Sequence, residues 1–528
     1  MLAGSWLHST LSVNAFICYQ ENETCHKKIK IMKINHSFLS SASSSTRLTK
    51  KTQVWLLAGI VTLALIFRLI FLYAFHDDYF QAGVIVANGE LARQVVSNHR
   101  LAMNAEYMKE IQARQAASGK LLDVKDWPPE PDNSEAGPPS VSDAPGYSIL
   151  LALTWWIFGK KSYIYLQFIQ LILDSVMCLL VFWVGKKLFS ASAGLIAALL
   201  FVLYIPEARL AVSPHRDVWA NFFVFGSLAF YYLVLRKESW QRAQMFVLYG
   251  LCFGLISWVR PTIILFPLVA LPSFIGQLGW KKTLGYGLTT YALVLVIFLF
   301  PFFYYNHSQY NRLLAGPLPL LMWNGIKEYE NNWNVVSLDD HAQEYAQTKG
   351  SFPVEPFQPE FHEILALEVK EVIRENPAWY AGTLLKRIPR LLTLRNSRGD
   401  FHRIFNPDDR LWDGRPTLIK HLLTFPPLAF LGKSLNKIIS TLMSGNFLLI
   451  IFAAGLIIYR KKAKLLLPLI LTVFYFALVF SPFLVQGRFV MPMIFSYLIL
   501  YSAVIMYGLR VFYVGLQILK GRKNHASE

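Results

Sequence analysis

Charge is what this chain has least of. Only 16% of its 528 residues are Asp, Glu, Lys or Arg, whereas 54% are hydrophobic, with 39 Phe, 25 Tyr and 14 Trp. A soluble chain of this length spreads its charges far more evenly, so a water-soluble globular fold is excluded. Cysteine is scarce too. Cys18 and Cys25 precede the first apolar run and have no His pair at metal-ligand spacing. Cys178 and Cys252 fall inside apolar runs, where a thiol acts as a small hydrophobe. No disulfide framework or zinc site follows. The chain also lacks a phosphate-cradling Gly loop, a Ser/His/Asp constellation and any internal repeat. Acidic residues number 33 against 51 basic ones, a net charge of +18. That excess crowds at the ends of apolar runs, as the positive-inside bias predicts. No basic patch with interleaved aromatics stands in a soluble segment, which argues against nucleic acid.

What the chain does have is apolar runs of about 17–25 residues, the length that crosses a bilayer core as a helix. The expected fold is an all-α integral membrane protein with about ten spans (between about eight and twelve). The first is 54–75, with Lys50-Lys51 before it. Run 163–185 returns onto Lys186-Lys187, 191–205 goes out, and 218–235 returns onto Arg236-Lys237. Run 245–259 goes out, 262–278 returns onto Lys281-Lys282, and 284–305 goes out again. Finally 445–458 returns onto Arg460-Lys461-Lys462, 465–484 goes out, and 489–509 returns onto Arg510. Every return lands on a Lys/Arg cluster, which predicts both termini in the cytosol.

The organisation then reads as five parts. Residues 1–53 form a basic, Ser/Thr-rich, disordered cytosolic leader, with Met32 a second candidate start. Residues 54–305 form a membrane module that carries the first outer loop, 76–145. Residues 306–444 form a second outer segment, 445–510 the last spans, and 511–528 a basic cytosolic tail. The first loop is acidic, with Asp123, Asp126, Glu130, Asp132, Glu135 and Asp143, and residues 100–118 have helix-forming composition. The second turns basic after Lys386, through Arg387, Arg390, Arg395, Arg398 and Arg403. The stretches 150–158 and 422–431 are too short to span and are expected to lie at the interface.

Four groups of residues have chemistry to offer. Asp77 and Asp78 follow the first span directly; a carboxylate there can take a proton from an acceptor hydroxyl or amine, and a neighbouring carboxylate tunes it. An ordinary solvated helix end is the competing reading, and Glu90, in Gly89-Glu-Leu-Ala-Arg93, is a rival carboxylate. His215, Arg216 and Asp217 sit in the short outer turn between two spans, fit to hold an anion and orient a base, or simply a polar loop. Arg260 and Arg488 are single charges pinned between apolar runs at outer span ends. A guanidinium forks onto phosphate, although snorkelling to headgroups explains the positions equally well. Gln167, Gln170 and Asp174 share one face of the second span, and a carboxylate that deep is either a buried helix contact or part of a cavity.

In order along the chain, these segments resemble the GT-C superfamily of polytopic glycosyltransferases, in particular the bacterial branch related to the aminoarabinose transferase of lipid A and the protein O-mannosyltransferases. Asp77-Asp78-Tyr-Phe-Gln-Ala-Gly-Val-Ile-Val-Ala-Asn-Gly89 is similar to the family's acidic pair and small-residue helix. Ala144-Pro-Gly-Tyr147 running to Phe158-Gly159, Gly185-Lys-Lys-Leu-Phe189 and Trp258-Val-Arg-Pro261 resemble later motifs. So do Asn324-Gly325, Glu330-Asn-Asn332, Arg374-Glu-Asn-Pro377, Leu385-Lys-Arg387 and Gly487-Arg-Phe-Val-Met-Pro492. The resemblance covers about residues 55–510, each motif weak and their order specific. It departs at Asp-Asp for the commoner Asp-Glu, at a longer loop 90–141, and at Ser-Pro-His-Arg-Asp for the commoner Ser-Glu.

The resemblance implies transfer of a sugar from a polyprenyl-phosphate donor, usually with inversion, to a lipid, glycan or protein acceptor on the periplasmic side of a bacterial inner membrane. It implies Asp77 as base with Asp78 or Glu90 as substitutes, Asp217 as a second acidic position, and Arg488 on the lipid phosphate. Arg260, Arg216, His215 and Arg387 are further binding candidates. No cofactor is called for; a divalent metal is compatible with the chain, but no residue pattern indicates one. Two other functions remain open. A polysaccharide polymerase or ligase would use a pyrophosphate-linked glycan and the Arg387–Arg403 stretch with His402. A transporter or flippase would show broken or repeated spans near the midplane.

Overall fold

The computed structural model describes residues 48–77, 82–101, 104–129, 145–234, 239–263, 265–288, 318–330, 338–350, 359–394, 424–483, 485 and 487–525, with scattered positions in 289–308 and 403–421. Asp78, the Pro-rich part of the first loop, Arg395, Arg398 and His402 lie outside the described residues. Residues 1–55 and 56–528 form two compact units. The described part of the first is the beginning of helix α1, Lys50–Phe75. Everything below concerns the second.

Among the described residues every regular element is helical. Helices α2 (Ala82–Asn98) and α3 (Ala105–Ser118) occupy the first loop, and α4 (Gly146–Phe158) closes it. Next come α5 (Ile164–Leu188), α6 (Ala191–Val202), α7 (Ile205–Val212), α8 (Asp217–Val234), α9 (Ser239–Val259) and α10 (Leu271–Leu278). The stretch 306–444 contains α11 (Leu318–Glu330), α12 (Leu338–Lys349), α13 (Pro359–Glu375) and α14 (Pro377–Leu392). Then α15 (Pro426–Leu442), α16 (Gly445–Ile458), α17 (Ala463–Phe480) and α18 (Ile494–His525) complete the chain.

Among the described residues five helical stretches are long and apolar enough to cross a membrane, or seven if α6–α7 and α15–α16 each count as one bent span. The protein is an all-α, multi-pass membrane protein. The expected spans 54–75, 163–185, 445–458, 465–484 and 489–509 fall within or largely within α1, α5, α16, α17 and the 487–525 stretch. Most of 284–305 lies outside the described residues. The expected helix near 100–118 is α3, capped by the Asn104 side chain on the Tyr107 N–H. The stretch 150–158 falls in α4, with Trp156 and Ile157 exposed, and the stretch 422–431 largely in α15, with Phe430 and Leu431 exposed.

Helix α5 is the axis of the bundle. It packs on α6, α7 and α8, and α18 packs on α6 and α16. The α5–α6 hairpin is tight because Gly185 meets Gly194: a Cβ on Gly194 would stand 2.4 Å from the Phe182 carbonyl oxygen. Such small-residue contacts let helices approach where lipid offers no hydrophobic drive. The lysine-bearing end of α5 also meets the basic turn before α17, through Lys462 Nζ on the Leu188 carbonyl (2.9 Å) and Phe189 against Tyr459. Twenty-five residues of helix carry the chain about 37 Å from that end to the other.

The expected outgoing run 191–205 does not leave straight. The chain bends by 58° between α6 and α7, with Pro206 in the first turn of α7. Breaking a helix inside a bilayer strands its last carbonyls, which have no water to turn to. Arg68 of α1 fills that need. Its Nη1 donates to Val202 O (2.9 Å) and Nη2 lies 3.4 Å from Phe201 O, while Nε pairs with Asp174 Oδ2 at 2.5 Å. Asp174 is therefore a buried helix contact, the less eventful of its two readings. Removing one partner of such a pair costs about 3–5 kcal/mol, because the other charge is left buried alone. Asp174→Asn is expected to lower the thermal midpoint in detergent sharply. Calorimetry or tryptophan fluorescence on the purified variant checks this; an Asp174→Asn protein that melts with wild type would contradict it.

Candidate active site

The site forms at the end of α5 remote from its lysines, from chain segments far apart in sequence. Two glutamines on one face of α5 gather them. Gln167 Nε2 donates to both the His76 carbonyl (2.9 Å), just past α1, and the Val212 carbonyl (2.8 Å), at the end of α7. One turn below, Gln170 Nε2 donates to Ser213 O (2.7 Å), and its Oε1 accepts from the Tyr147 hydroxyl at 2.9 Å. One helix face thus holds the residue before Asp77 and the lead-in to His215-Arg216-Asp217. The Asp77 carbonyl itself accepts from the Leu121 N–H at 2.8 Å, which anchors the exit of α1 to the first loop.

After Ser213 the chain turns tightly, with His215 N–H on Ser213 O at 2.7 Å, and α8 begins at Asp217. A carboxylate in a first turn is favoured by the orphan N–H groups there. Asp217 is buried and ion-paired with Arg260 Nη1, which arrives from the residue after α9. The Arg260 guanidinium also faces the rings of Phe480 and Phe489, both at 5.3 Å. From the turn before α18, Arg488 Nη1 reaches His215 Nε2 at 3.0 Å. Nδ1 of the same ring lies 3.2 Å from Asp217 Oδ2 and also faces the Asp217 backbone N–H at 3.3 Å. The result is a chain of contacts, Arg488–His215–Asp217–Arg260, drawn from three separate helix junctions.

The other candidates are placed as follows. Arg216 is half-buried in the same turn. Glu90 is fully buried in α2 and held bidentately by Arg93 of its own helix (2.6 and 2.8 Å), with Gln94 Nε2 at 3.0 Å. Arg387 of α14 is fully buried and turned toward backbone, donating to Ser481 O (3.0 Å) and to Gly325 O of α11. Next to it, Glu328 Oε2 accepts from the Val485 N–H at 2.9 Å. Gly325 lies so close that a Cβ there would stand 2.5 Å from Pro482 O. Arg387, Glu328 and Gly325 clamp the outer helices onto the 481–485 turn that leads to Arg488. Among the described residues no three His, Cys, Asp or Glu side chains cluster to hold a metal ion.

Glu328 and Glu207 went unremarked in the sequence reading. Glu207 of α7 accepts both donated contacts from Asn221 (2.8 and 2.9 Å), and a carboxylate in an apolar run was signal enough to find it. Glu328 carries no such signal, since its partner is a backbone N–H 157 residues away.

No protein-family model matches the sequence, and no curated protein matches it. Among solved structures, the chain is similar to the oligosaccharyltransferase of Archaeoglobus fulgidus in the apo form, with 14% identity and a TM-score of 0.43 over 89% of this chain and 52% of that one. It is also similar to ArnT from Cupriavidus metallidurans bound to undecaprenyl phosphate, with 14% identity and a TM-score of 0.30 over 80% of this chain and 75% of that one. The chain spans about half the length of the archaeal protein. Both likenesses are distant, and they assign no residue a role.

The glutamine tie has a direct test. Gln167→Leu leaves two buried carbonyls without a donor, at a cost of about 1–3 kcal/mol each. Hydrogen–deuterium exchange by mass spectrometry is expected to show faster exchange in both 76–78 and 213–217. Acceleration of one segment alone would mean the glutamine does not join them.

Proposed function

We propose that the protein is an integral-membrane glycosyltransferase of GT-C type that takes a sugar from a polyprenyl-phosphate donor and transfers it, with inversion, to a cell-envelope acceptor on the periplasmic face of a bacterial inner membrane. The observation that carries the reading is the Arg488–His215–Asp217–Arg260 chain at the end of α5 to which residue 76 is tied. It gathers fixed cations around a carboxylate near the exit of α1, an arrangement that suits a lipid phosphate. The ordered sequence motifs supply the kind of reaction, and the lysine clusters at the opposite end of α5 support cytosolic termini.

In the proposed step an acceptor oxygen or nitrogen attacks the anomeric carbon while the bond from that carbon to the phosphate oxygen breaks. The bonding pair leaves with the polyprenyl phosphate, and the acceptor's proton passes to Asp77 or Asp78. The leaving group gains negative charge, which a preorganised guanidinium stabilises in a water-poor site. Arg488 suits that task because its contact with His215 Nε2 orients it. Arg260 is already committed to Asp217 and fixes the start of α8. Glu90 is a poorer base, since Arg93 occupies both its oxygens. The polymerase reading loses Arg387, which faces backbone carbonyls. The transporter reading keeps one observation in its favour, the bend between α6 and α7 with Arg68, Asp174 and Glu207 buried around it.

Membranes supplied with a lipid-linked donor separate these readings. Asp77→Asn with Asp78→Asn is expected to cut transfer by about 10²–10⁴-fold, the usual worth of a general base. Arg488→Met is expected to lower turnover about 10²-fold, as for loss of one stabilising donor. Full activity in the double Asn variant would remove the base assignment. Uptake into proteoliposomes without any glycosylated product would favour the transporter.

A further inference from the structure

A second cavity, of about 590 Å³, opens beside the N-terminal end of α5, and its lining includes none of the residues of the chain just described. That volume is in the range of small-molecule sites and fits a phosphorylated sugar-sized group rather than a lone ion. Its walls bring together Arg93 of α2, Lys125 of the first loop, and Lys160 and Lys161 from the turn between α4 and α5. Among the described residues the one carboxylate in the lining is Asp123. Its oxygens accept from the Ser162 hydroxyl (2.7 Å), the Val124 N–H (2.9 Å) and the Tyr163 N–H (3.2 Å).

Those bonds have a consequence for the cations. Asp123 staples the short helical turn Val124–Asp126, which carries Lys125, onto the turn that carries Lys160 and Lys161. Arg93 is aimed by its bidentate contact with Glu90 and lies 5.0 Å from the ring of Tyr107, which also lines the cavity. Lys125, Lys160 and Lys161 are thus drawn to one space against their mutual repulsion, beside Arg93, whose charge Glu90 already meets; Lys161 Nζ also donates to Ser97 Oγ at 3.2 Å. An anion between them offsets that repulsion.

The cavity rim continues into an apolar strip. Tyr165 lines the cavity and stacks on Phe158 (centroids 4.6 Å apart, planes at 6°). Phe158, Ile157 and Trp156, the last 77% exposed, then run along the end of α4. A cationic pocket joined to an exposed apolar strip, at the end of a membrane helix, matches a molecule with an anionic head and a hydrocarbon tail. We infer that this cavity binds the phosphorylated headgroup of an anionic lipid, with its acyl chain along Trp156–Phe158. The site stands on this geometry and does not depend on the transfer reaction.

The test uses the full-length protein in detergent micelles, with dioctanoyl phosphatidic acid as the probe and native mass spectrometry or thermophoresis as the readout. The wild-type protein is expected to bind it. The triple variant Lys125→Gln, Lys160→Gln and Lys161→Gln is expected to bind at least about tenfold more weakly, since each lost charge-assisted contact carries a sizeable part of such affinity. Lys160→Gln alone, at an exposed position where folding is not at issue, should show part of the loss. Asp77→Asn should leave binding unchanged. Undiminished binding by the triple variant overturns the site. Equal binding of dioctanoyl phosphatidylcholine overturns its preference for an anionic head. Displacement by glucose 1-phosphate at equal concentration overturns the lipid as the source, because a diffusible sugar phosphate would then suffice. Failure here leaves the transfer assay untouched, so the two readings fall separately.

Discussion

Inside a bilayer a backbone carbonyl without a donor has no water to fall back on, and that constraint runs through this structure. The chain bends between α6 and α7, and there and at several helix ends a long polar side chain from another helix meets backbone carbonyls. Arg68 serves the carbonyls of Phe201 and Val202. Gln167 and Gln170 serve those of His76, Val212 and Ser213. Arg387 serves Ser481 and Gly325. Each of these side chains comes from a helix, so the irregular segments inherit the positional precision of the regular ones.

The candidate site is built from the same economy. Its members stand on junctions: Asp77 after α1, His215 and Asp217 between α7 and α8, Arg260 after α9, Arg488 before α18. A junction brings polar groups together while the helices on either side fix its place. Asp217 gains from the first-turn N–H groups of α8, and Arg260 gains from the rings of Phe480 and Phe489. The polar contacts are few, and the helix ends on which they sit do most of the positioning.

Much of this was legible in the sequence, and the rest was hidden for physical reasons. The long apolar runs and the Lys/Arg clusters that end them carry their own signal, so the spans in α1, α5, α17 and α18 were readable. The shared face of Gln167, Gln170 and Asp174 follows from helical periodicity alone. Their partners were not readable: Arg68 and Asp174 lie 106 residues apart, and carbonyl acceptors leave no mark on residue type. Pro206 marked the break after α6, yet nothing in the run showed that the chain would continue as α7. Glu90 and Arg93 have the spacing of an intrahelical pair, three residues apart, and that spacing was the available sign that the carboxylate is occupied. Asp78 and the basic stretch 395–402 lie outside the described residues.

Gly325 has a mechanical consequence. With no side chain between them, α11 and the 481–485 turn touch backbone to backbone, and Arg387 and Glu328 pin the contact from either side. A joint of that kind has no compliant element, whereas a contact through long side chains can absorb a displacement by changing rotamers. A shift of α11 is therefore passed directly to the backbone at Pro482, and a shift there is passed back to α11. By linkage the effect runs equally in both directions, so what settles on the outer helices and what settles at the span end report on each other.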